Sequence, residues 1–139
     1  MIKKYILKDR SIEIFSTLNQ SHSFKLPAEY SYFFCVLQFE DFLLVSMFYS
    51  KKSTPDEKKR RNVWRISENA TVSWVIETPY DYWIKKTPND KYKQKAYKKT
   101  CFSRIYKSNN KIVAINCGAS YLLNPETGKI KFWKPAERF

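Results

Sequence analysis

Residues Ser120–Trp133 read SYLLNPETGKIKFW, and the fold follows from how that stretch is parsed. Two apolar arms flank a Pro125-Glu126-Thr127-Gly128 turn, and the second arm closes on aromatics. Slid upstream by 58 residues, Leu122, Glu126, Ile130 and Phe132 fall on Trp64, Glu68, Val72 and Trp74 of NVWRISENATVSWVIETP. Val72 and Trp74 alternate with Thr71 and Ser73, the period-two pattern of a half-buried strand. Fifty residues earlier, IEIFSTLNQSHSFKLP repeats the plan, with Ile14, Asn19 and Phe24 on Trp64, Asn69 and Trp74. Each copy meets a proline soon afterwards (Pro27, Pro79, Pro135), which is expected to end strand pairing. Gly128 falls where the other copies have Ala70 and Gln20, so the glycine is expected to mark no site.

The segments preceding the last two hairpins also correspond. FFCVLQFEDFLLVSMFY and CFSRIYKSNNKIVAINC are each an apolar strand, a polar turn (Glu40-Asp41; Ser108-Asn109-Asn110) and a more apolar strand. Asn and Asp suit such turns because they tolerate positive φ and bond back to the backbone. The repeating unit is therefore four antiparallel strands. YLLNPETGKIKFW is similar to the outer hairpin of quinoprotein-like and WD-type β-propeller repeats, although no Gly-His or Trp-Asp dipeptide is present and the glycine occurs in one copy only.

The resemblance implies an all-β fold of antiparallel sheets, a partial propeller of about two and a half four-stranded blades. A β-sandwich or barrel fits the same hairpins. In a single domain of 139 residues, 1–27 is a partial N-terminal blade and 31–79 a blade with a basic insertion at 50–62. Residues 80–99 are a basic, aromatic linker, and 100–135 a C-terminal blade. A closed propeller needs four blades, so a partial one predicts a protein partner or a second copy over its uncovered faces. Composition agrees with strands: 17% aromatic residues, two glycines and only six alanines.

The chain carries 26 Lys and Arg against 13 Asp and Glu, a net charge of +13. Such a field attracts nucleic acid, anionic lipid or an acidic protein face. Ten of the thirteen excess charges lie in two segments, Ser50–Asn62 and Lys85–Lys99. The first contributes Lys51, Lys52, Lys58, Lys59, Arg60 and Arg61. In the second, Pro88-Asn89-Asp90 predicts a short helix that places Lys91 and Lys95 near one face, beside Tyr92. Lys85, Lys86, Lys93 and Tyr97 complete that basic aromatic set. Tyr80, Tyr82 and Trp83 precede it, in the composition of interface hot spots, and capping the core is an equal reading of them.

Catalytic chemistry finds little support. His22 is the only histidine, and two glycines cannot make a phosphate loop. Cys35, Cys101 and Cys117 are odd in number, sit in apolar runs and show no metal spacing, as expected of reduced cytosolic thiols. No signal peptide or membrane span fits the N-terminus. The expectation is a cytoplasmic, non-enzymatic binding protein without metal or cofactor. Size and composition resemble bacterial toxin-immunity proteins, which implies a toxin as partner. A nucleic-acid-binding accessory protein, using the basic loops on phosphates, is the alternative; lysine outnumbering arginine counts against base readout.

Overall fold

A computed structural model of the chain describes residues 1–17, 19–49, 60–97, 100–116 and 119–135. Among them the first three strands are β1 (Ile2–Leu7), β2 (Ser11–Ser16) and β3 (Ser21–Lys25). The next four are β4 (Tyr32–Gln38), β5 (Phe42–Phe48), β6 (Val63–Ser67) and β7 (Val72–Val75). Helices α1 (Pro79–Lys86) and α2 (Lys91–Tyr97) follow, then β8 (Arg104–Ser108), β9 (Lys111–Asn116), β10 (Ala119–Leu123) and β11 (Ile130–Pro135). They form three antiparallel meanders: sheet A, β1-β2-β3; sheet B, β4-β5-β6-β7; sheet C, β8-β9-β10-β11. The described elements are all strands apart from the two short helices, and the sheets do not close into a barrel, which removes that reading. The three meanders are compatible with blade-like repeats and with sandwich-like stacking. No helix among the described residues is long and apolar enough to cross a membrane.

Sheet B lies between the other two, and its sequence shows why. FLLVSMF is nearly unbroken in its hydrophobicity, and β5 is buried on both faces, as a strand between two layers must be. Leu43, Val45 and Met47 pack with Ile12, Ile14 and Phe24 of sheet A. Leu44 turns the other way, toward Ile105, Ala114, Tyr121 and Ile130 of sheet C. Sheet A alternates cleanly instead: Ile12 and Ile14 point inward, while Ser11, Glu13, Ser23 and Lys25 make a largely polar outer face. One buried polar group ties sheet B to the chain entering sheet C. Asn62 Nδ2 donates to the Met47 and Phe102 carbonyls (3.0 and 2.8 Å), and its Oδ1 accepts from Phe102 N–H (3.1 Å).

The repeat places the strands correctly and misses the register of one of them. Leu123 pairs with Ile130, and Ile66 with Val72, so five residues separate the paired positions in sheet B and six in sheet C. The 58-residue offset holds for Val72 and Ile130, whereas the preceding strand needs 57. The counterpart of Trp64 is therefore Tyr121, not Leu122. What the three hairpins do share is a left-handed residue: Asn19, Ala70 and Gly128 have φ of 56°, 64° and 77°. The expectation for Gly128 is overturned. A Cβ there would stand 2.6 Å from the Trp74 ring, so only glycine fits beneath that indole.

Two prolines behave differently from expectation. Pro135 remains in register with Ala119, and Pro79 occupies the first turn of α1. Thr78 caps that helix: its hydroxyl accepts from Asp81 N–H (3.1 Å), and the Asp81 carboxylate accepts from Thr78 N–H (3.3 Å). The segment read as a linker with one short helix holds two helices within residues 79–97. The expected helix near Asn89–Asp90 is α2, with Asp90 Oδ1 accepting from Lys93 N–H (3.0 Å).

Candidate functional site

The helix pair gathers most of the residues expected to bind a partner. Arg61 reaches it from the start of β6 and pairs with Asp81 at 2.7 Å. Burial alone would raise the Asp81 carboxyl; the bond and charge of Arg61, with the Thr78 N–H, outweigh it and hold the group below its ordinary value. Arg60 lies 5.9 Å from the centre of the Tyr80 ring. Lys51, Lys52, Lys58 and Lys59 lie outside the described residues.

The aromatic members turn inward. Trp83 Nε1 donates to the hydroxyl of Tyr121 (2.9 Å), and its ring contacts Phe132 and Tyr82. Tyr82 stands edge-on to Tyr121, 6.0 Å between centroids. Tyr97 stacks on Trp83 at 6.2 Å, with Lys93 Nζ 4.0 Å from the Trp83 ring centre. These rings fasten the helices to sheet C, so core packing accounts for Tyr82 and Trp83. Burial drives the Tyr121 phenol far above its usual range even with the indole donor present.

The outward side is cationic. Lys85 is held by Glu77 at 2.7 Å. Lys86, Lys91 and Lys95 are exposed and form no ion pair among the described residues. Between them Tyr92 is 83% exposed, the most exposed large hydrophobic side chain of the described residues.

A second cationic surface escapes a search for charge runs. Strand register puts Arg104, Lys111, Lys131 and Lys134 on the outer face of sheet C, with Tyr106, Val113, Leu122 and Trp133. No acidic residue shares that face in strands β8–β11. Lys111 and Lys134 lie 5.2 and 4.5 Å from the Trp133 ring centre, and Arg104 lies 5.5 Å from that of Tyr106. The cations come from three strands, so no window of sequence collects them; alternation within IKFWK was the available signal.

His22 sits on β3 opposite Ile14, facing inward. Among the described residues no three His, Cys, Asp or Glu side chains converge as metal ligands. Cys35 is free, and its thiol lies 3.5 Å from the Ile105 carbonyl; burial raises its pKa. The Sγ of Cys101 lies 3.6 Å from the Tyr49 hydroxyl. No family model, curated protein or solved structure matches the chain.

Proposed function

We propose that this is a non-enzymatic binding protein built on a partial propeller, and that it docks the helix pair on an acidic face of a protein partner. The observation carrying this reading is the division of labour in residues 79–97. The buried-facing rings anchor the pair to sheet C, while Lys86 at the end of α1 and Lys91, Tyr92 and Lys95 of α2 are exposed. An exposed amphipathic ring on a helix with cations that form no ion pair among the described residues suits association with a complementary, negatively charged surface. A toxin neutralised by an immunity protein is one such partner, and it is the partner class that composition resembles.

The test is site-specific photo-crosslinking from position 92 in cells, followed by identification of the captured protein. The reading expects an acidic partner, captured at least tenfold less when Lys91 and Lys95 are both changed to Glu. Growth rescue of cells expressing a toxin encoded beside this chain would fix the partner class. Capture unchanged by the charge reversal counts against the reading.

The outer face of sheet C favours a second reading, nucleic-acid binding, because four cations and two rings share a sheet face to which strands β8–β11 contribute no acid. Oligonucleotide binding that weakens steeply with salt, and weakens further in Lys111→Glu with Lys131→Glu, would support it.

A further inference from the structure

Sheet A has three strands where sheets B and C have four. β1 lies over β4, with Gln38 Nε2 donating to the Ile2 and Lys3 carbonyls (3.2 and 3.4 Å). At the other edge Phe24 of β3 meets Trp64 of β6, ring centroids 6.1 Å apart. Three strands thus cover β4 to β6, and β7 projects beyond them. Val72 and Val75 pair with Ile66 and Trp64 and so face sheet A, yet each is 39% exposed. Beside Val75 a largely apolar notch of about 290 Å³ opens between Glu29, Arg61 and Trp64.

The outer edge of β3, on the Trp64 side of sheet A, is open among the described residues. Leu26 N–H and the Gln20 carbonyl both turn toward β2. By the two-residue period, Ser21, Ser23 and Lys25 turn their N–H and C=O groups outward. No other described strand pairs with that edge.

We propose that β3 accepts an extended segment of a partner protein as the fourth strand of sheet A, with alternate apolar side chains of that segment covering Val72 and Val75. Lys25 is the only charged residue among the three that open onto the edge, so the segment carries an acid opposite it. A second copy fits poorly. Each β3 lies over its own β6, and a two-fold β3–β3 pair would drive the copy's β6 into the place of β7. Two copies at +13 also repel. A five-residue edge buries far less than the roughly 800 Å² per partner of a stable interface, which suits a single strand of a transient complex. The chain's own residues 50–59, SKKSTPDEKK, offer no apolar alternation. This surface shares Arg61 with the seat of α1 but none of the exposed helix-pair residues, and it does not rest on the preceding reading.

The test uses the full chain and a capped hexapeptide alternating valine with threonine and glutamate; a peptide of the same composition with its valines grouped is the control. Amide exchange is followed by NMR. Binding should occur with Kd on the order of 100 μM, slowing exchange at Ser21, Ser23 and Lys25 at least tenfold. Ser23→Pro removes one outward N–H without touching the β2 pairing, and Val75→Glu spoils the covered face; each should weaken binding at least tenfold in a chain that remains folded. The proposal is overturned by absence of binding at millimolar peptide, by equal binding of the control, or by affinity unchanged in both variants. Protection of Ser23 without peptide that Ser23→Pro converts from dimer to monomer would also overturn it, assigning the edge to a second copy.

Discussion

Gly128 lies beneath the indole of Trp74, close enough that a methyl group at that position would sit 2.6 Å from a ring carbon. The same turn accepts the Trp74 Nε1–H and the Arg65 guanidinium on the Pro125 carbonyl, each at 2.8 Å. Gly128 in turn accepts from Glu77 N–H on its carbonyl (2.9 Å). The loop of one sheet is thus clamped by the outer strand of its neighbour.

Gly128→Ala should therefore cost about 2–4 kcal/mol, combining overpacking with a left-handed backbone that alanine resists. Ala70→Gly, at φ 64° in the equivalent turn, should gain about 1 kcal/mol. Urea denaturation of both variants reads the pair, and opposite signs are the expected outcome.

Asn62→Ala should destabilise the chain by about 2–4 kcal/mol, because it leaves the Met47 and Phe102 carbonyls and the Phe102 amide buried without their partner. Thermal melting should show the loss, with a single broadened or lowered transition common to probes in both sheets.

Acid should loosen the seat of α1. The folded Asp81 pKa lies below its unfolded value near 4, so its contribution is full above that value and lost as pH falls through the folded pKa. Asp81→Asn should cost about 1 kcal/mol at neutral pH and flatten the stability profile below about pH 4. A pH series of denaturation midpoints compares the two.

Alkali acts on Tyr121 with the opposite sign. Its folded pKa is raised by burial, so its contribution is full below the unfolded value of about 10 and is lost as pH climbs toward the folded value. Phenolate absorbance should show the Tyr121 phenol staying protonated until the fold opens. Tyr121→Phe should abolish that hidden step and cost about 1–2 kcal/mol, since the Trp83 indole loses its acceptor.

The hairpins were legible because alternation and turn residues are local signals: Ile12–Ile14 and Ile130–Phe132 announce strands without reference to the rest of the chain, whereas a bulge sends Val72 and Trp74 to opposite faces. Helix α1 was not, because Tyr80, Tyr82 and Trp83 carry strand propensity. The readable clue was Thr78-Pro79-Tyr80-Asp81, a capping pattern with proline at the first helical position. The inward turn of Tyr82 and Trp83 depends on Tyr121, 38 residues beyond Trp83, and no local rule reports such a contact. The register of β10 was lost to a single residue of loop length, which reverses the face of every side chain on a strand.

β5 has no solvent side. Leu43, Val45 and Met47 serve one interior and Leu44 the other, so the strand is the common wall of two cores. A cut anywhere between the sheets would strip one side of that wall and bare a run of apolar residues to self-association. The sheets repeat like modules in sequence, yet they are inseparable as material: the chain should unfold as one cooperative body, and fragments made at its apparent seams should aggregate.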